Sequence, residues 1–186
     1  MNNFLTYILQ DWQVNAETSS KSRFILLMFR LAQIIKSLPA PFSLLFIPYR
    51  FFYILIIDWI LGIDLHWDTQ IGANLQLHHS HALVINHDTI IGANCTIRHS
   101  TTIGNKKLPD GSYSSSPKIG NNVDIGANVV IIGSIIIGDN AVIGAGSVVV
   151  KNVSESTVVA GNPARIIRSN NSTKLPVFDT IIMDNL

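Results

Sequence analysis

Cysteine is all but absent from this chain. Cys95 stands alone among 186 residues, which excludes an internal disulfide framework and any zinc site built on several thiolates. Charge is sparse as well. The balance of 13 Lys and Arg against 12 Asp and Glu leaves a net charge of +1, and no basic run interleaved with aromatics occurs, so a nucleic-acid partner is not expected. No apolar run continues for the roughly 20 residues that a membrane-spanning helix needs. The most apolar stretch, residues 42–63, is interrupted by Pro48, Arg50 and Asp58. Its expected fates are burial against the rest of the chain or a neighbouring subunit, or lying on a membrane surface. The opening MNNFLTYILQDW has neither a basic segment nor a small-residue cleavage site, so no secretory signal is expected.

What is present is a period of six. Ile119, Ile125, Ile131, Ile137, Ile143 and Val149 follow one another at that spacing, and the same period runs upstream through Ile71, Leu77 and Leu83 and through Ile91, Ile97 and Ile103. Six fits neither an amphipathic helix nor one long alternating strand. It fits a short strand plus a corner, three times per coil, stacked into a parallel β-helix of triangular section. Leu75, Cys95, Thr101, Val123, Val129, Ala141 and Ser147 stand four places after a slot and are expected inside; Cys95 is then an inert core thiol. Asn74, Asn94, Asn122, Asn128, Asn140 and Asn152 stand three places after a slot, where a tight corner calls for left-handed backbone that asparagine tolerates. The predicted class is mainly β, with an α-helical segment over residues 1–62, where Phe24, Leu27, Met28, Leu31, Ile34 and Ile35 recur at helical spacing. The β-helix occupies residues 63–168. A polar tail, 169–186, follows, within which residues 177–183 could dock.

Grouping the slots as 71/77/83, 91/97/103, 119/125/131 and 137/143/149 places inserted stretches of two and ten residues between coils, both at one corner. The longer, residues 106–117 (KKLPDGSYSSSP), reads as a projecting loop. The next corner reads His78-His79-Ser80, Arg98-His99-Ser100, Gly126-Ala127-Asn128 and Gly144-Ala145-Gly146 through the four coils. With coils about 4.8 Å apart, this column offers a smooth groove rising from histidines, suited to a thin extended ligand. His66, His81 and His87 have no assignable partner and are expected to be structural or solvent-facing. His78, His79 and His99 share the column but lack zinc-ligand spacing, so no metal is expected.

The runs Ile63-Asp64-Leu65-His66, Leu77-His78-His79-Ser80, Pro117-Lys118-Ile119-Gly120 and Ala160-Gly161-Asn162-Pro163-Ala164-Arg165 resemble the serine acetyltransferase-like branch of the hexapeptide acyltransferases. The resemblance covers residues 24–168. Within the branch, the HH pair, Val84-Ile85-Asn86 and Thr96-Ile97-Arg98-His99 are most similar to colanic acid and capsular polysaccharide O-acetyltransferases. The resemblance implies a left-handed β-helix, acetyl-CoA as co-substrate, and a homotrimer with sites between subunits. It puts the catalytic histidine on His79, its paired carboxylate on Asp64, and acetyl-CoA-contacting positions on Ala127, Ala145 and Asn105. Lys151 and Arg165 are expected to meet the phosphates at the top of the helix. His78 and Ser116 stand where serine acetyltransferases carry an aspartate and a histidine, so both, with His99, are assigned to acceptor binding, and the acceptor is expected to be a sugar or glycan hydroxyl rather than serine.

Two rival readings stay open, a serine O-acetyltransferase and a non-catalytic hexapeptide scaffold. The expected location is cytoplasmic, with peripheral contact to the inner face of a membrane and a higher oligomer through the helices as further expectations.

Overall fold

The computed structural model describes residues 2–169; the residue 177–183 docking expectation lies outside them. Three helices open the chain: α1 (Asn2–Ile8), α2 (Ser20–Ser37) and α3 (Phe46–Tyr53), the last continued by a wider π-helical turn, Ile54–Ile60. All further strands but the last run parallel in three sheets that form the faces of a prism. The first face holds Ile63–Leu65, Leu83–Ile85, Thr102–Gly104, Val130–Ile132 and Val148–Val149. The second holds Gln70–Ile71, Ile90–Ile91, Lys118–Ile119 and Ile136–Ile137. The third stacks Gln76–His78, Thr96–Arg98, Asp124–Ile125, Val142–Ile143 and Thr157–Ala160, and Arg165–Ser169 turns back antiparallel to close it.

The period of six arises because each strand sends one aliphatic residue inward and then turns a corner. Ile97, Ile103, Ile125, Ile131, Ile137 and Ile143 are at most 1% exposed. Every expected second inward residue, from Leu75 through Cys95 to Ser147, is buried too, and burial raises the Cys95 thiol above its ordinary range. The corner asparagines Asn74, Asn94, Asn122, Asn128 and Asn140 have φ between 56° and 61°. Asn152 does not; its Oδ1 instead accepts from the Ile136 N–H at 2.9 Å.

One register differs from the hexad count. The ladder pairs Leu83 with Ile63, and Ile85 with Leu65 below and Ile103 above. Ile85 is therefore the slot of its coil, and Leu83 is the second inward residue. The two-residue insertion consequently lies between Leu77 and Ile85, in the corner that carries the histidines, while the ten-residue loop leaves from the next corner. The two insertions do not share a corner.

The helices close the lower end of the prism. Ser19 caps α2, its hydroxyl accepting from Ser22 N–H. The buried face of α2 is Ser22, Ile25, Leu26, Met28, Phe29, Arg30 and Ala32, rotated from the apolar set read from sequence: Phe24 is exposed and Leu27 and Leu31 are half-buried. Polar anchors turn it. Arg30, fully buried, reaches Asp11 Oδ2 at 2.7 Å and the carbonyls of Ile71 and Gly72 at 2.9 and 2.7 Å. Asp11 also accepts from Leu75 N–H, and Asn15 accepts from Leu77 N–H while donating to the Leu75 carbonyl. The Asp11 to Asn15 segment thus supplies hydrogen bonds to the lowest strand edge of the third face, which would otherwise be open.

Residues 42–60 resolve into two sides. Phe46 and Tyr53 meet Trp67 edge-on at 5.3 and 5.8 Å, and Ile57 is fully buried. Ile47, Phe51, Leu55 and Trp59, spaced four apart, remain exposed on the other side. Among the described residues no helix is long and apolar enough to cross a membrane.

Candidate active site

The corner between the third and first faces is built the same way in each coil. Backbone N–H groups of Ser100, Asn128 and Gly146 donate to the carbonyls of His81, His99 and Ala127 in the coil below. His81, His99, Ala127 and Ala145 are thus stacked equivalents, and Ala82, Ser100, Asn128 and Gly146 are the left-handed positions above them. His78 pairs in register with Arg98. The insertion that remains is His79-Ser80.

His79 is exposed on that insertion, itself in left-handed backbone at φ 57°. Such a conformation is uncommon for a histidine and persists only where its surroundings hold it. They do so from behind: Ser80 is buried, its Oγ 2.6 Å from Ser22 Oγ, which donates to the Leu77 carbonyl at 2.8 Å. Helix α2 therefore clamps both ends of the strand-to-corner step that presents His79.

Three imidazoles gather there. His79 meets His99 edge-on at 5.6 Å, and His81 stacks on His99 at 4.9 Å with 18° between planes. His81 is exposed, as expected, yet it has partners that the sequence did not reveal, including the His79 carbonyl at its Nδ1. The triple pattern His78-His79-x-His81 was the available signal. His78 lies half-buried on the strand, and burial, then the Arg98 charge, hold its pKa below the ordinary histidine range.

Above the histidines a groove of ≈ 270 Å³ is lined by Arg98, Asp124, Gly126, Ala127, Gly144 and Ala145, among others. Arg98 and Asp124 form an ion pair at its lower side. The glycines are required by close approach: a Cβ on Gly126 would lie 2.5 Å from Ala145 N, and one on Gly144 2.8 Å from Ala160 Cβ. Lys151 and Arg165 come together in a separate cleft of ≈ 290 Å³ near the top of the prism, which shares no lining residue with the groove.

Three expected site residues stand apart from this group within the chain. Asp64 stands partly open to solvent on the lowest strand of the first face, where the charges that act on it are Asp58, His66 and His87; partial desolvation and then the Asp58 charge raise its pKa. No hydrogen bond or ion pair joins it to His79. Asn105 begins the long loop at the far edge of the first face. Ser116 is buried, with its hydroxyl donated to Asn86 Oδ1 at 2.8 Å, a bond that ties down the loop base. The loop does project, with Tyr113 65% exposed. Among the described residues no group of three His, Cys, Asp or Glu side chains is placed to hold a metal ion.

Residues 116–151 match the family described as bacterial transferase hexapeptide (six repeats). Over 119 residues the chain is 39% identical to WcaB of Escherichia coli (strain K12), a protein assigned to acetyl transfer in colanic acid biosynthesis; the match covers 64% of this chain and 72% of that protein. It is 41% identical over 112 residues to serine acetyltransferase 2 of Arabidopsis thaliana, covering 60% of this chain and 34% of the relative. The fold superposes on the crystal structure of Neisseria gonorrhoeae serine acetyltransferase with a TM-score of 0.76 at 28% identity, covering 93% of this chain and 68% of that one. The chain therefore belongs to the hexapeptide-repeat acyltransferases, in the branch that holds serine acetyltransferases and WcaB, and is an acetyltransferase.

Proposed function

We propose that the chain moves the acetyl group of acetyl-CoA onto a hydroxyl of a sugar or glycan, with His79 as general base. The observation that carries this reading is the corner column: a groove floored by Ala127 and Ala145 stands in the coils above a corner that presents an exposed histidine in left-handed backbone. A hydroxyl is a weak nucleophile at neutral pH. Neutral His79 takes its proton as the oxygen attacks the thioester carbonyl carbon, an effect worth roughly 10²–10⁴ in rate. The C–S bond then breaks, and the imidazolium returns the proton to the departing thiolate, giving the O-acetyl ester and CoA. Holding both substrates in one groove requires no covalent enzyme intermediate.

A sugar is favoured over serine by what surrounds the base. Serine carries an ammonium that calls for a nearby carboxylate, but His78 is an imidazole whose pKa burial lowers, and Asp124 is engaged by Arg98. The serine-type loop position, Ser116, is buried against Asn86. The exposed Tyr113 and Asp110 of the same loop are suited to a sugar ring and its hydroxyls.

The site is read as shared between chains of a homotrimer. Asn105 and the loop stand at one edge of the first face and Ala127 at the other, so they serve a common groove when two chains supply them. Asp64, which the resemblance pairs with His79, lies in the single chain within electrostatic reach of Asp58, His66 and His87. Its pairing requires the corner to move or a neighbouring chain to complete the site. Lys151 and Arg165 are assigned to the phosphates of acetyl-CoA.

Assaying the purified enzyme with acetyl-CoA against serine, nucleotide sugars, lipid-linked oligosaccharide and polysaccharide tests the acceptor. Transfer to a sugar with little to serine is expected; efficient serine acetylation without any sugar product would overturn the proposal in favour of a serine O-acetyltransferase. Ala145→Trp tests the groove independently, by raising the KM for acetyl-CoA.

A further inference from the structure

The equivalence of His81, His99, Ala127 and Ala145 makes the column change character halfway down. In the two upper coils it carries methyl groups, which leave the groove open. In the two lower coils it carries imidazoles. His99 stands one coil below Ala127 in the same column, and the His81 ring lies against its ring, nearly parallel at 4.9 Å. His81 is itself aimed: with its proton on Nδ1 it donates to the His79 carbonyl. His99 Nδ1 is buried and has no hydrogen-bond partner, so on that side the ring is held by its stacking on His81 and not by a polar anchor. His79 meets the same ring edge-on at 5.6 Å.

We infer that the stacked His99–His81 pair is the stop that limits the acyl group to acetyl. This rests on the reading of the groove as the acyl-CoA site. A pantetheine arm descending past Ala145 and Ala127 brings its thioester down onto the His99 ring, beside which the His79 ring stands at 5.6 Å, and whatever extends beyond the carbonyl runs into the face of His99. One methyl fits there. Longer chains meet a ring that cannot retreat, because His81 occupies the space beneath it. The depth of the obstruction can be counted in coils. Each coil is about 4.8 Å and each methylene of an extended chain adds roughly 1.3 Å, so one imidazole removed opens room for about four methylenes. His81 does not touch the reacting atoms. It is a positioning residue that acts through His99.

Binding of free CoA, acetyl-CoA, butyryl-CoA and octanoyl-CoA to the full chain, measured by calorimetry, tests this without needing the acceptor. Wild type should bind acetyl-CoA in preference to butyryl-CoA. In His81→Ala the His99 ring loses its support, and the ratio should shift toward butyryl-CoA by about tenfold, the order expected when two methylenes become accommodated. His81→Phe restores a ring to stack on and should keep the wild-type ratio, which separates stacking from any proton-carrying role and checks that the corner still folds. The double variant His81→Ala/His99→Ala opens two coils and should admit octanoyl-CoA. Wild type indifferent to chain length, an unchanged ratio in His81→Ala and in the double variant, or a His81→Phe that relaxes as far as alanine would each sink the inference. If CoA binds while these ratios stay fixed, only the acyl stop is wrong; if free CoA does not bind at all, the groove reading fails and the stop falls with it.

Discussion

Replacing Ser22 with alanine removes one hydroxyl from a helix, yet it should slow the enzyme. Ser22 Oγ has one proton, which goes to the Leu77 carbonyl at 2.8 Å, so Ser80 must be the donor across the 2.6 Å between the two hydroxyls. Alanine leaves both the carbonyl and the Ser80 hydroxyl, 3% exposed, without that partner. A net hydrogen bond contributes about 1 kcal/mol, and a buried group left unsatisfied costs about 1–3 kcal/mol, so a loss of about 2 kcal/mol is expected in urea unfolding. The functional effect follows from position. Leu77 and Ser80 flank the step that holds His79 in left-handed backbone, and a small displacement of a base can cost on the order of tenfold to a hundredfold in rate. With an acceptor that is turned over, kcat should fall by about tenfold or more. The KM for acetyl-CoA should hold, because Ala127 and Ala145 lie in the upper coils. The double variant Ser22→Ala/Ser80→Ala should lose less than the sum of the singles, since each has already stranded the other. A stability loss with kcat unchanged would show that the helix supports the fold without positioning the base, and no stability loss would refute the hydrogen-bond assignment itself.

The prism was legible because each strand buries an aliphatic residue at a fixed spacing, and that signal survives any surface sequence. The phase of the first coil was not. Leu83 and Ile85 are both aliphatic and both face inward, so a strand of period two offers two slots. Choosing the wrong one moves a two-residue insertion from the histidine corner to the next. That shift hid His81: counted from the misplaced slot it falls outside the column, whereas in the ladder it sits under His99. The groove wall was legible because small residues recurred at one corner in register through the upper coils. The lower cap was illegible for another reason. Asp11, Asn15, Ser22 and Arg30 find their backbone partners in the coils 41 to 64 residues away, and the face of α2 is set by those bonds rather than by its apolar residues. Arg30, the one charge inside the run FILLMFRLAQII, was the one trace of it. Asp64 marks where motif and geometry part, because matching its position says nothing about which way the entering strand turns its side chain.

Asp11→Ala should destabilise the chain by about 3–5 kcal/mol, the loss expected when a fully buried guanidinium is stranded; a drop below about 1 kcal/mol in denaturant unfolding would mean that water or Gln33 replaces the carboxylate. His78 titrates in the unfolded chain at the ordinary histidine value and lower in the fold, so the unfolded state binds more protons between the two values and stability falls as pH falls through that window. His78→Gln should flatten that part of the stability profile, and an unchanged slope would remove His78 as its source. His79→Ala is the sharpest test of the base. It should lower kcat by roughly 10²–10⁴ while calorimetry still detects CoA binding, since the groove wall lies in the coils above. His99→Ala should cost less, because its ring bounds the site without taking the proton. The wild-type rate should rise with pH as the base loses its proton, and that limb should vanish from the residual activity of His79→Ala while persisting in His99→Ala. The same limb in His79→Ala, or a larger loss in His99→Ala, would transfer the role of base to His99 and leave His79 as the residue that carries it into position.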